Sequence, residues 1–150
     1  MRVVVQRVHE AMVSVESVEK GRIGAGLLVF AGVEQGDTME DICWMARKIS
    51  QLRVFEDEEE RMNRSVLDIG GGILVISQFT LLGNVRKGTR PSFNHAAPPS
   101  EAVPLYESFL AELESALGKA VPRGMFGHYM RILADNDGPV TLIIDSRTRG

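Results

Sequence analysis

Polar residues interrupt an apolar segment near the middle of the chain. The apolar run Ile73–Ile76 is followed directly by Ser77-Gln78-Phe79-Thr80, and apolar residues then resume. One interpretation is a strand that passes from the core to the surface, with its hydroxyl groups bonded to backbone. The other is a strand end that presents hydroxyl groups, an amide and free backbone N–H groups to a ligand. The residue pattern alone favours the first interpretation.

A second polar segment, Asp135-Asn136-Asp137-Gly138-Pro139, precedes the last apolar run of the chain. Its composition is typical of a turn before a strand, and turn chemistry accounts for it fully. An X–Pro bond adopts the cis form at a cost of only about 0.5–1 kcal/mol, so a cis Gly138–Pro139 bond is also allowed. The pattern leaves the isomer open.

Three cations, Arg86, Lys87 and Arg90, lie just downstream of Thr80 in a segment without acidic residues. A solvated loop is one interpretation of this segment. A phosphate-contacting edge is the other, because Arg and Lys side chains make many of the contacts between proteins and nucleic-acid phosphates. The position of the segment beside the polar strand end keeps both interpretations open.

Several kinds of chemistry lack the residues that they need. His9, His95 and His128 are widely spaced, without the i,i+4 partner of a helical zinc site. The glycine-rich segments match neither a phosphate-binding loop nor a dinucleotide-binding turn, and no G-x-S-x-G elbow is present. Cys43 stands beside Trp44 in a helical pattern, where a buried structural thiol is expected. We therefore expect no metal and no cofactor.

Composition indicates one globular domain over residues 1–150, with 44% apolar and 25% charged residues. No linker or internal repeat divides the chain. The net charge of −3 argues against bulk electrostatic coating of nucleic acid, although a local RNA contact stays possible. The longest apolar run is too short to span a membrane, no secretory signal is recognisable at the start, and the single cysteine suits a reducing compartment. These features favour a cytoplasmic location.

Alternating and continuous apolar runs predict a strand-rich chain. The expected strands are 2–15, a short strand near Arg22-Ile23 after a turn at Lys20-Gly21, a strand buried on both faces at Gly26–Gly32, Arg53–Phe55, Ile73–Ile76, and three final strands near 120–125, 129–134 and 139–145. The acidic stretch Glu56–Glu60 is expected to be a solvated loop.

Two helices are expected between these strands. Asp37 and Glu40 resemble a capping box that opens the first helix, and Ile42, Ala46 and Ile49 repeat at helical spacing behind it. The second helix follows Pro98-Pro99-Ser100, with Pro104 in its first turn and Gly118 at its C-terminal cap. Its apolar face consists of Tyr106, Phe109, Leu110, Leu113 and Leu117. Since the strands outnumber the helices, the fold class is α/β with a mixed sheet rather than a doubly wound fold.

The motifs described above, taken in order, resemble those of the D-aminoacyl-tRNA deacylases, also known as the D-tyrosyl-tRNA deacylase family. The resemblance covers essentially the whole chain and rests on Val5-Gln6-Arg7-Val8, Arg53-Val54-Phe55-Glu56-Asp57, Met62-Asn63, Ser77-Gln78-Phe79-Thr80, the Arg-Lys-Gly…Arg-Pro-Ser-Phe stretch, Ala96-Ala97-Pro98-Pro99 and Asn136-Asp137-Gly138-Pro139-Val140-Thr141. It implies a barrel-like sheet with two helices on one side. It also implies a homodimeric hydrolase that removes wrongly charged amino acids from tRNA at sites on the subunit interface.

The resemblance also implies roles for individual residues. Ser77, Gln78, Phe79 and Thr80 would line one wall of the site, and Gly138-Pro139, with a cis bond, would reach in from the partner subunit. Arg7 would hold the proline loop, while Phe126 and Met130 would shape the adenosine end of the pocket. The sequence departs from the family pattern at His128-Tyr129, where small and acidic residues are common, and at Ile132-Leu133-Ala134-Asp135.

Two mechanisms are compatible with these residues. Thr80 is a candidate nucleophile, but no histidine or carboxylate adjoins it in sequence to act as its base. We prefer backbone N–H groups around Phe79 and Thr80 as oxyanion donors, with the 2′-hydroxyl of the substrate helping to position water. A rigid Gly138-Pro139 wall would reject an L side chain by steric clash and accept D-amino acids and glycine.

The sequence also allows two other functions. One is a related proofreading deacylase with a trans proline and relaxed chirality. The other is a non-catalytic RNA- or DNA-binding module on the same fold.

Overall fold

The valine-rich opening of the sequence forms the strand to which most of the sheet is paired. The computed structural model describes residues 1–150. In chain order, its elements are β1 (Arg2–Val15), β2 (Val18–Ile23), β3 (Gly26–Gly32), α1 (Met39–Gln51), β4 (Phe55–Glu56), β5 (Met62–Arg64), β6 (Gly72–Ser77), a 3-10 helix (Phe79–Leu82), α2 (Pro99–Leu117) and β7 (Arg131–Asp145). No helix in the chain has both the length and the apolar character that crossing a bilayer requires.

The main sheet is mixed and curls into a half-barrel. β1 pairs antiparallel with β7 along almost its whole length on one edge. On its other edge, β1 pairs with β3 through residues 2–8 and with β2 through residues 11–15. β3 then pairs with β6 in parallel, from Gly26↔Gly72 to Ala31↔Ser77. The parallel pair places the carboxyl ends of β3 and β6 side by side.

Alternation along the strands divides the buried apolar residues between the two faces of the sheet. A cluster of 23 buried residues joins one face to α1 and α2, with Phe109, Leu110 and Leu113 from α2 fully buried. The opposite face carries a smaller cluster of seven buried residues, including Leu28, Leu74 and Ile76. Both helices therefore cover one side of the sheet, and the predicted fold class is confirmed.

Four local predictions about the strands are wrong in their details. The turn after β1 is at Glu16-Ser17, which have positive φ, and Lys20-Gly21 lies within β2. The short strand expected at Arg53–Phe55 is Phe55–Glu56. Residues 120–125 form only an isolated bridge between Arg123 and Val75. The last two expected strands are one strand, β7, because both halves pair with the same neighbour, β1.

The helices agree more closely with their predictions. Gly118 caps α2 in the left-handed conformation with φ +70°, as expected. The N-cap of α1 is Thr38 rather than Asp37, and the Asp41 carboxylate accepts the Thr38 N–H at 2.9 Å to complete the capping box. Pro104 is inside α2 beyond its first turn, so its missing N–H leaves one internal carbonyl without a helical partner.

Candidate active site

The carboxyl end of β6 opens into a cavity of about 440 Å³ whose walls are mostly apolar. The cavity brings together five of the residues predicted to belong to the site: Ser77, Gln78, Phe79, Phe126 and Met130. A volume of this size and lining is typical of a site for a small organic group. Ser77 to Phe79 contribute one wall, and the segment 126–130 contributes another.

The wall at Ser77-Gln78-Phe79 is fixed by the parallel pairing of β6 with β3. Gln78 N–H donates to the carbonyl of Ala31 at 2.8 Å, after which the chain turns into the 3-10 helix. Gly32 makes room for this turn. A Cβ on Gly32 would lie 2.5 Å from Leu82 Cδ2 and 2.9 Å from the Gln78 carbonyl oxygen, so a larger residue would displace the turn.

Thr80 lies beside the cavity rather than on its wall, and its side chain is exposed. Its hydroxyl oxygen accepts a hydrogen bond from the Gln78 side-chain amide and contacts no carboxylate or imidazole. Within the 3-10 helix, Leu81 N–H is the first to bond back, to the Gln78 carbonyl at 3.3 Å. The N–H groups of Phe79 and Thr80 therefore precede the first bond of the helical turn.

The cationic loop, residues 84–92, is attached to this wall through aromatic packing. The Phe79 ring, 56% exposed, meets the edge of Phe93 at a centroid distance of 5.1 Å. Two backbone hydrogen bonds between Asn84 and Ser92, of 2.8 and 2.9 Å, close the loop. Its cations have no carboxylate within 4.0 Å and are exposed to solvent: Arg86, Lys87 and Arg90. The loop therefore presents uncompensated positive charge beside the cavity.

The wall formed by Phe126 and Met130 is held by a tight turn. His128 N–H donates to the Met125 carbonyl at 3.2 Å, and Gly127 has φ +76°. The Phe126 ring packs against Tyr106 of α2, with 5.5 Å between their centroids. This packing positions Phe126 against the helix-covered core.

Tyr106 is a cavity residue that the sequence did not single out, because its place on the apolar face of α2 explained it as core. It is 2% exposed, and its hydroxyl group has no hydrogen-bond partner. Burial raises the pKa of Tyr106 to about 12, against the opposing effect of the Arg123 charge. Its phenol is therefore neutral at physiological pH. An unpaired buried hydroxyl is rare enough in proteins to mark a position for experiment.

Residues Asp137–Val140 form a projection from β7 that we call the corner. Gln6 pairs with Thr141 and Val8 with Asn136, so the four residues between them face Arg7 alone. The Gly138–Pro139 peptide bond is cis. Gly138 has φ +144°, and a Cβ there would lie 2.5 Å from Val140 N. This conformation requires glycine at position 138.

Arg7 anchors the corner from within the sheet. Arg7 is 7% exposed, and its guanidinium donates to the Asp137 carbonyl at 3.1 Å and to the Val54 carbonyl at 2.6 Å. The Asp137 carboxylate lies 3.3 Å from Arg7 Nε. Arg7 thus ties the corner to the segment before β4, which is the geometry that a role in holding the proline loop requires.

The corner and the cavity do not meet within one chain. Neither Gly138 nor Pro139 lines the cavity of its own chain. The outer edge of β7 has no partner strand, and several apolar side chains along it are exposed: Leu133 (50%), Leu142 (37%) and Ile143 (68%). Exposed apolar residues on a free strand edge are typical of a surface that another chain covers.

No group of three or more His, Cys, Asp or Glu side chains is placed to hold a metal ion. Cys43 is partly buried in α1 and carries no partner thiol.

Comparison with known proteins identifies the family to which this chain is similar. Residues 4–145 match the family described as D-Tyr-tRNA(Tyr) deacylase. The chain is 54% identical to a D-aminoacyl-tRNA deacylase of Opitutus terrae over 149 residues, covering 99% of both chains. It is also 54% identical to a D-aminoacyl-tRNA deacylase of Chromobacterium violaceum over 147 residues, covering 98% of both.

Two solved structures have a similar fold. One is described as a c-Myc DNA unwinding element binding protein, with a TM-score of 0.90, 41% identity, and coverage of 97% of this chain and 98% of the other. The other is described as a probable eukaryotic D-amino acid tRNA deacylase, with a TM-score of 0.80, 21% identity, and coverage of 95% and 97%. The second likeness, at this identity, is one of fold alone.

Proposed function

This chain belongs to the D-Tyr-tRNA(Tyr) deacylase family, and on that premise we propose that it hydrolyses the ester joining a D-amino acid to the terminal adenosine of tRNA. It is an enzyme, an aminoacyl-tRNA ester hydrolase that serves translation quality control, and tRNA is its substrate. One observation carries the proposal for the site. The structure gathers Ser77, Gln78 and Phe79 around the same cavity as Phe126 and Met130.

The polar wall is where the ester would be cleaved. We assign the N–H groups of Phe79 and Thr80 to the oxyanion, since they precede the first hydrogen bond of the 3-10 helix. The Thr80 hydroxyl has no base beside it and accepts a bond from Gln78, so nothing would remove its proton. Water, positioned with help from the substrate 2′-hydroxyl, is the proposed nucleophile. The reaction needs no cofactor.

Phe126 and Met130 would enclose the adenosine. Their wall is apolar, and an aromatic ring next to a polarisable thioether suits the flat face of a nucleobase. The cationic loop would contact phosphates of the tRNA through Arg86, Lys87 and Arg90, because these side chains are exposed and unpaired. The net charge of −3 makes such a local patch more important than the overall electrostatic attraction.

A homodimer would complete the site. The corner lies outside the cavity of its own chain, and the exposed apolar edge of β7 offers a surface for a second copy. A two-fold symmetric contact would place the corner of each subunit in the cavity of the other, and both cavities would be completed at once. We place the enzyme in the cytoplasm, where its substrate is made.

The corner would then discriminate between D- and L-amino acids. A rigid Gly138-Pro139 wall above the carbonyl would clash with an L side chain at the α-carbon and leave a D side chain free. Glycine has no side chain to clash, so glycyl-tRNA would also be cleaved. The Arg7 contacts with Asp137 would keep the wall rigid.

Cleavage assays on matched substrates test the activity and its mechanism. D-tyrosyl-tRNA and glycyl-tRNA should be deacylated, whereas L-tyrosyl-tRNA should persist at the same enzyme concentration. Thr80→Ala should keep substantial activity if backbone donors and water carry the reaction. Trapping of a threonyl ester in the wild type, together with complete loss of single-turnover cleavage in Thr80→Ala, would refute this mechanism.

Subunit mixing tests the shared site. We call the segment Ser77–Thr80 the cradle. A cradle-defective variant, Gly32→Ala, and a corner-defective variant, Pro139→Ala, would each spoil both sites of their own dimer. In a mixed dimer, one site receives both defects and the other receives neither. An equal mixture should regain about a quarter of wild-type activity, because half the dimers are mixed and each has one intact site. No recovery after verified exchange, or full activity in a monomer, would reject the shared site.

A different function is favoured by one comparison. The fold neighbour described as a c-Myc DNA unwinding element binding protein is 41% identical to this chain, which keeps DNA binding as a second candidate. A deacylase with relaxed chirality is the remaining alternative. Tight DNA binding without ester cleavage would support the first alternative, and equal cleavage of D- and L-tyrosyl-tRNA would support the second.

A further inference from the structure

A groove of about 600 Å³ adjoins the cavity and shares two residues with it, His128 and Tyr129. These residues form the rim between the two hollows. Tyr129 is 93% exposed, which is more than any other large apolar or aromatic residue on the surface. Its ring therefore stands free at the boundary between an apolar cavity and a more polar groove.

The rim is held in place by local hydrogen bonds. The His128 ring nitrogen Nδ1 lies 3.0 Å from the Phe126 carbonyl oxygen, and His128 N–H bonds to Met125. Arg131 begins β7 two residues after Tyr129 and is paired with Ser14 of β1. A turn on one side and a paired strand on the other fix the backbone that carries the exposed ring.

The groove has one free cation. Arg131 lines it and has no carboxylate within 4.0 Å. The acidic residues of the same groove are Glu16 and Glu19, and Glu19 is engaged by Arg22 at 2.7 Å. Met12 and Val15 supply an apolar floor. The groove thus offers an aromatic face, a guanidinium and an apolar surface close together.

We propose that this groove holds the nucleotide that precedes the terminal adenosine, with its base stacked on Tyr129 and its phosphate near Arg131. The inference rests on the proposed function and extends it. With the adenosine against Phe126 and Met130, the RNA strand leaves the cavity across the neighbouring rim. Single-stranded RNA is held by aromatic rings that stack on its bases and by cations that meet its backbone. Tyr129 is therefore a residue that selects a polynucleotide over a lone nucleoside ester.

The binding test compares two ligands that differ only in the preceding nucleotide. Binding of adenosine and of a dinucleotide ending in adenosine is measured by calorimetry on the whole protein. Cleavage of D-tyrosyl-adenosine and D-tyrosyl-tRNA is measured alongside. Tyr129→Ala should lower the preference for the longer ligand by about tenfold, whereas Tyr129→Phe, which keeps the ring, should hold it within about twofold.

Arg131→Gln provides a second arm with its own control. It should weaken binding of the dinucleotide but not of adenosine. The difference in dinucleotide affinity between the wild type and Arg131→Gln should shrink as salt is raised. Arg61→Gln changes the same charge in the β4–β5 loop, which lines neither the groove nor the cavity and where the side chain is 80% exposed, and should leave the preference unaltered.

Three outcomes would overturn the inference: an unchanged preference in Tyr129→Ala, an equal loss for both ligands, or a loss explained by weaker self-association in sedimentation. Failure of the proposed function has a different signature. In that case wild-type protein would cleave neither ester, and the calorimetric preference would still report on the groove.

Discussion

The cradle, Ser77–Thr80, and the corner, Asp137–Val140, are both interruptions of strands, but they are supported in opposite ways. The cradle follows β6, whose residues Ile73–Ile76 are fully buried, and is packed on Gly32 and the β3–β6 pair. The corner projects from an outer strand and is held by one buried arginine. The cradle therefore draws its geometry from its own core, whereas the corner depends on one anchoring side chain.

The comparison is tested most strongly by Gly32→Ala, because its new methyl group would press on Leu82 and the Gln78 carbonyl. We expect kcat/KM for D-tyrosyl-tRNA and glycyl-tRNA to fall about 10²-fold, as a misplaced reacting group commonly causes. Gly24→Ala is the matched control, since a Cβ at Gly24 meets no atom within 4 Å. Equal activity in the two variants would show that the cradle does not depend on this close packing.

Arg7→Gln tests the anchor of the corner. The substitution leaves the Val54 and Asp137 carbonyls without their charged donor, and we expect a loss of about 1–3 kcal/mol in the free energy of unfolding. Cleavage of L-tyrosyl-tRNA should rise relative to D-tyrosyl-tRNA as the wall loosens. A stable variant with unchanged selectivity would mean that the corner holds itself. Denaturant unfolding and paired deacylation assays measure the two quantities.

Gly138→Ala probes the corner from within. The φ of +144° is strained for any residue with a Cβ, so the corner should shift while the cradle stays in place. We expect the ratio of D- to L-tyrosyl-tRNA cleavage to fall about tenfold, with glycyl-tRNA affected less. A uniform loss on all three substrates would instead point to general damage, which the thermal midpoint would reveal.

The smallest effect is expected from Tyr106→Phe. This substitution removes a buried hydroxyl group that has no hydrogen-bond partner, on a residue that lines the cavity. We expect the free energy of unfolding to stay level or rise by up to about 1 kcal/mol. Because burial raises the pKa of Tyr106 to about 12 in the folded state, the folded protein keeps the phenol proton at pH values where the unfolded chain has lost it. The contribution of this group to the free energy of unfolding is therefore fully present below the unfolded pKa and is lost as pH rises above it. The advantage of Phe should therefore grow above pH 10, about where the unfolded tyrosine ionises. A clear loss of stability at neutral pH would show that the hydroxyl finds a partner.

The sequence predicted the elements whose signals are local. The β3 strand, the α2 cap at Gly118 and the polar end of β6 all follow from a few neighbouring residues. The family resemblance added the site, and the structure gathers Phe126 and Met130 around the cavity with Ser77–Phe79. The catalytic roles of these residues stay predictions.

Features set by distant pairing were harder to predict. The sequence predicted two strands in place of β7, because the turn-like residues of the corner suggest that a strand ends there. The pairing of β1 with β7 on both sides of the corner shows that it is one strand. The turn at Glu16-Ser17 uses positive φ without glycine, which leaves no compositional signal. Tyr106 was missed as a cavity residue because helical periodicity could not distinguish its core side from its cavity side.

The pairing of β1 with β7 also has a consequence for how the protein is made. Arg2 bonds to Asp145 across a separation of 143 positions, so one edge of β1 stays open until the ribosome has released the last strand. Contacts between such distant segments slow folding, and an open edge invites pairing with other nascent chains. We expect polysome-bound chains to depend on chaperones until β7 has emerged, and refolding in vitro to lose yield as concentration rises.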